Sequence, residues 1–163
     1  MILQDVLKPK LNIVFCGTAV SKDSAKKGAY YAGPGNMFYP TLYKVGLTPN
    51  LIAPENYKDL LKYNLGLTDL VKHISGNDNE IAKRDFDVKD FISKIFKFQP
   101  KVVCFNGKKA AAEFMGTKTK HIRYGVMAGT IGESILYCAP STSGSARKFW
   151  DERSWLELKK MIK

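Results

Sequence analysis

The chain has 163 residues, enough for one domain with its own hydrophobic core, and its composition is ordinary for a globular protein. Its 26 lysines and arginines against 15 acidic residues give a net charge of +11, which favours a polyanionic partner, either nucleic acid or an anionic membrane surface. A lysine-rich surface kept for solubility is the alternative, and no apolar run approaches the roughly 20 residues that cross a bilayer.

The N-terminal residues lack the apolar core of a signal peptide, so we expect an intracellular protein, in the cytoplasm or nucleoid if the source is bacterial. Each of the three cysteines ends an apolar run, which is typical of small core residues. His73 and His121 stand alone, and no CxxC, HExxH or four-cysteine pattern is present. The sequence therefore predicts no metal and no other cofactor.

The first predicted strand, residues 12–16, is a short apolar run of the kind that parallel sheets bury. A long loop, residues 17–35, follows it and contains four glycines and the aromatic pair Tyr30 and Tyr31. Glycines let backbone N–H groups approach a ligand, and an aromatic ring offers a flat face to a base. The loop therefore predicts a pocket for a planar, polar heterocycle, and an ordered loop without a ligand is the alternative.

Helical periodicity and strand-like runs then alternate along the chain. Helices are predicted around Phe38, Leu42 and Val45, over 54–63, on the apolar face of residues 88–96, over 110–115, and around Trp155, Leu158 and Ile162. The lysines of the third of these, Lys89, Lys94 and Lys97, are expected to face water. Further strands are predicted over 102–105 and 134–138, and an apolar segment, 64–71, surrounds the single carboxylate Asp69.

This alternation predicts one α/β domain over residues 1–163, with three layers and a short, mostly parallel sheet flanked by helices. Ligands of such sheets bind outside the carboxyl ends of the strands. The loops 17–35 and 139–147 both leave such ends, so we expect them to meet at one site together with the Asp69 segment. The glycines match neither the P-loop nor the dinucleotide-binding pattern, and Ser141 replaces the first glycine of a GxSxG elbow.

Five stretches occur in a specific order: FCGTAVS, YYAGPGNMFYPTLYKVGLTP, GLTDLVK, QPKVVCFNGK and PSTSGSAR. Over residues 11–147 they resemble the mismatch-specific uracil/thymine-DNA glycosylases of the uracil-DNA glycosylase superfamily. The resemblance implies a monofunctional, metal-free enzyme that flips a base out of duplex DNA and hydrolyses its N-glycosidic bond, leaving an abasic site. Uracil is the expected base, with mismatched thymine, hypoxanthine and ethenocytosine as further substrates. It also implies a monomer that binds duplex DNA and no membrane.

One departure from the family pattern concerns catalysis. The first family motif usually reads G-x-N-P-G, and its asparagine positions the hydrolytic water, but Ala19 stands at that place here. Asp69 falls where relatives carry a second polar residue that faces the pocket. A carboxylate there can act as a general base, or stabilise positive charge on the sugar. A helix cap or turn residue is the alternative role of Asp69.

The remaining pocket residues take their roles from the same resemblance. Tyr31 matches the aromatic residue that stacks on the flipped base, with a core aromatic as the alternative. The backbone of Gly17, Thr18, Ala19 and Ser21 is expected to hold a carbonyl oxygen of the base. Asn36 completes the predicted pocket, although capping the following helix is its favoured role.

The loop after the last predicted strand is expected to contact DNA. Its small polar residues would bind phosphates, and they are Ser141, Thr142, Ser143, Gly144 and Ser145. Arg147 would enter the gap left by the flipped base. Lys108 would meet phosphate at a helix start, or belong to a solvated lysine pair. A DNA-lesion binding module without catalysis is the second interpretation of the chain, and an unrelated basic domain that binds nucleotides or RNA is the third.

Overall fold

Five strands form one sheet in the computed structural model, which describes residues 1–162. The strands are β1 (Ile13–Gly17), β2 (Leu65–Asp69), β3 (Val102–Asn106), β4 (Gly125–Ile131) and β5 (Ser134–Ala139). They lie in the order β2-β1-β3-β5-β4, and β4 alone runs antiparallel to its neighbour. The predicted α/β fold with a mostly parallel sheet is confirmed.

Helices cover both faces of the sheet, which explains why β1 and β2 are buried throughout instead of alternating. The helices are α1 (Lys22–Lys27), α2 (Phe38–Lys44), α3 (Val88–Phe98), α4 (Lys108–Met115) and α5 (Glu152–Lys160). On one face Phe15 packs against Phe38 and Trp155, and on the other Phe91 packs against Phe105. The three cysteines are buried and free, as predicted.

Several predicted elements differ from those observed. The loop 17–35 contains α1, whose first turn is capped by Ser21. Residues 54–63 form a 3-10 helix (Pro54–Tyr63) rather than an α-helix, and α5 ends before Ile162. The sequence did not predict β4, because this edge strand is mostly exposed and carries glycines where a strand pattern needs apolar alternation.

Four further 3-10 turns connect the main elements: Asp78–Glu80, Lys83–Asp85, Thr119–His121 and Gly144–Phe149. The first of them lies in the loop after β2 and the last in the loop after β5, so both stand at the carboxyl edge of the sheet. Within residues 1–162, the helices are all too short or too polar to cross a bilayer.

The N-terminal residues form part of the core instead of the polar lead-in that their sequence suggests. Val6 exchanges backbone hydrogen bonds of 2.9 Å with Leu67 and so covers the outer edge of β2. Asp5 accepts hydrogen bonds from Lys72 at 2.8 Å and from Lys94 at 2.6 Å. Lys94 therefore does not face water as predicted, and Lys72 is 6% exposed.

We predict that Asp5→Ala lowers the free energy of unfolding by about 3–5 kcal/mol, because it leaves the buried Lys72 ammonium without its carboxylate. The matched control is Asp59→Ala, which removes an exposed pair with Lys62 and should cost at most about 1 kcal/mol. Urea unfolding followed by tryptophan fluorescence measures both. Equal losses in the two variants would mean that Lys72 is rehydrated without cost.

Candidate active site

The carboxyl ends of four parallel strands border one cleft with a volume of about 840 Å³. Gly17 of β1, Asp69 of β2 and Asn106 of β3 line it, together with residues 141–143 that follow β5. The loops 17–35 and 139–147 and the Asp69 segment thus meet at one site. The cause is the parallel register, which brings all these strand ends to the same edge of the sheet.

Asp69 is the last residue of β2 and lies directly opposite Gly17 of β1. A Cβ atom built on Gly17 would stand 2.7 Å from Asp69 Oδ1, so only glycine leaves room for the carboxylate. The Asp69 side chain is 4% exposed, and its Oδ2 atom has no hydrogen-bond partner among the protein atoms of residues 1–162. The sheet therefore holds a buried carboxylate at the floor of the cleft.

Burial raises the pKa of Asp69 to about 7. The Lys72 ammonium opposes this shift, the Asp5 carboxylate adds to it, and the backbone N–H of Gly17 lowers the pKa again. Lys72 compensates little of the burial, because its ammonium is bound to Asp5. A carboxyl group with this pKa exchanges a proton near neutral pH, as a general base must.

Tyr31 reaches the same cleft from the loop after β1. Its φ of 54° lies in the left-handed region, which a bulky residue seldom adopts. The ring packs against Phe38 with 4.1 Å between centroids. Its hydroxyl is buried and has no protein partner within residues 1–162. Burial and the nearby Asp69 charge raise the pKa of Tyr31 above its usual value, so the hydroxyl stays neutral.

The other predicted pocket residues have side chains that mostly serve the loop itself. Thr18 Oγ1 donates to Asp78 Oδ1 at 2.6 Å and ties the first loop to the loop after β2. Ser21 Oγ accepts the backbone N–H of Ser24. Ala19 lines the cleft with a methyl group, and so offers no polar side-chain atom there.

Asn36 Oδ1 accepts the backbone N–H of Phe38 at 3.0 Å, at the start of α2. This bond gives it the capping role that was favoured for it, and the residue also lines the cleft. Its predicted membership of the pocket and its role as a cap are therefore compatible.

Thr142 differs from its prediction as a phosphate ligand. It is fully buried, its hydroxyl accepts from Asn106 Nδ2 at 3.0 Å, and its N–H donates to Asn106 Oδ1 at 3.0 Å. Both polar groups are thus occupied beneath the loop surface, and a direct phosphate contact is wrong for this side chain. Its neighbours Ser141, Ser143 and Ser145 stay accessible at the cleft.

The turn Gly144–Phe149 packs against the loop before α2. Arg147 Nη2 donates to the carbonyl oxygen of Gly35 at 3.3 Å, and Gly144 lies against the backbone of the same residue. Arg147 is exposed and does not line the cleft, whereas Phe149, 59% exposed, does. The sequence analysis did not identify Phe149, because an exposed aromatic has no motif of its own.

Sequence reasoning also missed Asn106, which the rule for strand ends identifies as readily as it does Asp69. Lys108 lines the cleft at the start of α4, with its ammonium 4.5 Å from the ring centroid of Tyr124. Within residues 1–162, no group of three or more histidine, cysteine, aspartate or glutamate side chains is placed to share a metal ion.

Two comparisons with known proteins bear on this site. A family model described as the uracil DNA glycosylase superfamily matches residues 4–160. The chain also superposes on the solution NMR structure of a candidate uracil DNA glycosylase from Methanosarcina acetivorans with a TM-score of 0.64. The two sequences are 24% identical, and the alignment covers 98% of this chain and 94% of the other. At this identity the structural similarity establishes the fold alone.

We predict that Asp69→Asn stabilises the protein at neutral and alkaline pH. The folded state keeps the proton of Asp69 up to about pH 7, whereas the unfolded state releases it near pH 4. The charged carboxylate therefore costs stability increasingly as the pH rises between these values. The advantage of Asp69→Asn in free energy of unfolding should grow from pH 4 to pH 8 by up to about 4 kcal/mol.

Urea unfolding at several pH values measures this difference, with the exposed Asp59→Asn as the control that should stay within about 0.5 kcal/mol of the parent. An advantage that does not change with pH would show that the carboxyl group titrates normally in the folded protein.

Proposed function

Because the chain belongs to the uracil DNA glycosylase superfamily, we propose that it is a monofunctional DNA glycosylase. It flips uracil out of duplex DNA and hydrolyses the N-glycosidic bond, leaving an abasic site. Mismatched thymine, hypoxanthine and ethenocytosine are proposed as further substrates. The observation that carries the proposal is the buried Asp69 carboxylate, whose pKa of about 7 suits proton transfer at the floor of a cleft large enough for a base.

In the proposed reaction Asp69 accepts one proton from a water molecule. The water oxygen bonds to C1′ of the sugar while the bond from C1′ to the base breaks, and its electron pair leaves with the base. The carboxylate also lowers the energy of the positive charge that grows on the sugar. Backbone N–H groups of residues 17–21 stabilise the departing base anion. Ala19 has no group that orients the water, and for this reason Asp69 takes the role.

DNA binding is proposed to rest on the net charge of +11 and on polar groups around the cleft. The phosphate contacts are assigned to Ser141, Ser143, Ser145 and the ammonium of Lys108, with the buried Thr142 left out. Arg147 is exposed and held by one bond to Gly35, which it would exchange for the gap in the base stack. We propose that the enzyme acts on duplex DNA as a monomer.

A panel of end-labelled duplexes tests the activity. Each carries uracil, a thymine mispair, hypoxanthine or ethenocytosine, and alkaline scission detects the abasic product. We expect product from the uracil duplex and none from undamaged DNA. Specific binding of these duplexes without product would instead indicate a lesion-binding module, and neither binding nor product would contradict action on DNA altogether.

We predict that Asp69→Asn reduces the single-turnover excision rate by about 10²–10⁴-fold with little change in DNA affinity, because it removes the base but keeps the shape. The parent rate should fall as the pH drops below about 7, where the carboxyl is protonated. Asp59→Asn serves as the matched control and should keep the parent rate. Adding Ala19→Asn to Asp69→Asn should restore part of the activity. A near-parent rate in both Asp69→Asn and Asp69→Ala would exclude Asp69 as the base.

A further inference from the structure

Two buried side-chain oxygens in residues 1–162 have no hydrogen-bond partner: the hydroxyl of Tyr31 and Oδ2 of Asp69. Buried polar groups in folded proteins are nearly always paired, and an unpaired one calls for an explanation. Both of these line the same cleft. Two such atoms at one place indicate that the protein is built to receive a small polar partner there.

Gly17 separates the two side chains and leaves the space between them open. A Cβ atom at this position would stand 2.7 Å from Asp69 Oδ1 and 3.4 Å from the Tyr31 hydroxyl. Both oxygens therefore lie within hydrogen-bonding range of nearly the same region. A side chain here would fill the gap between them, and glycine is the residue that does not.

The fold holds the Tyr31 hydroxyl at this place against a conformational preference. The residue has a φ of 54°, and its ring is fixed against Phe38. Three other buried tyrosines have partners: Tyr30 donates to the carbonyl of Gln4, Tyr39 to that of Tyr30, and Tyr137 to that of Ser154. Tyr31 differs from them in that its hydroxyl is directed at the cleft and bonded to no protein atom.

We propose that the Tyr31 hydroxyl and the Asp69 carboxylate hold the attacking water between them, an inference that rests on the proposed function. Asp69 accepts the hydrogen that it removes, and the hydroxyl, which both donates and accepts, fixes the water at a second point. As the water oxygen bonds to C1′, one proton moves to Asp69 and the electron pair of the broken bond leaves with the base. Tyr31 keeps its proton throughout. The pair replaces the asparagine that Ala19 lacks.

The test is Tyr31→Phe, which keeps the ring and removes only the oxygen. We expect the single-turnover rate on the uracil duplex to fall about 10–100-fold, because the water loses one of its two fixed points. The affinity for the same duplex should stay within about twofold, since the stacking face is intact. The thermal midpoint should stay the same or rise by up to about 3 °C, because a buried unpaired hydroxyl is removed.

Tyr39→Phe is the matched control, since it removes a buried hydroxyl that donates to the carbonyl of Tyr30. It should lower the thermal midpoint and keep the parent rate, the opposite pattern to Tyr31→Phe. Gly17→Ala is a second variant: its methyl group fills the gap beside Asp69, and Gly17 is outside the left-handed region, so the backbone is not strained. We expect it to lose at least as much rate as Tyr31→Phe.

Three results would overturn the inference. A parent-like rate in Tyr31→Phe means that the hydroxyl does not hold the water. A parallel loss of affinity means that it binds the base, and a lowered thermal midpoint with an unchanged rate means a structural role. If the parent chain cleaves no base in the panel, the proposed function fails as well. If the parent cleaves and only Asp69→Asn is slow, the proposed function stands and this inference alone is wrong.

Discussion

The parallel pairing of β1 with β2 places Gly17 opposite Asp69, and the whole site depends on this contact. It buries a carboxylate where no side chain from the neighbouring strand screens it. Burial makes the charged form expensive, which brings the pKa close to neutral and leaves one oxygen unpaired. The same arrangement that reduces stability supplies a group able to take a proton.

The charge is tolerated because a second cluster lies beneath it. Asp5, from the N-terminal segment, binds Lys72 and Lys94 and also accepts the hydroxyl of Thr68, the residue before Asp69. Each buried charge in this cluster has an opposite partner, whereas Asp69 has none of its own. Segments from the start, middle and second half of the chain therefore determine the electrostatic environment of one carboxylate.

The cleft walls are joined by side-chain bonds between loops rather than by the sheet alone. Asn106 holds Thr142, Thr18 holds Asp78, and Arg147 reaches Gly35. Such bonds fix the geometry before a ligand arrives, which is the condition for electrostatic catalysis at low reorganisation cost. The only one of these bonds made by an exposed arginine is the weakest, at 3.3 Å, and it joins the two loops that would face DNA.

The sequence by itself determined the α/β class, the site at the carboxyl edge of the sheet and the choice of Asp69, because each follows from local periodicity or motif order. The tertiary structure decided that Thr142 is buried, that Lys94 is paired, that β4 exists and that the Tyr31 hydroxyl is left without a partner. These features depend on contacts between distant residues, such as Asn106 with Thr142, 36 positions apart, and Thr68 with Asp5, 63 apart. Local sequence patterns carry no record of such pairs, since burial and partners arise only when the chain has packed.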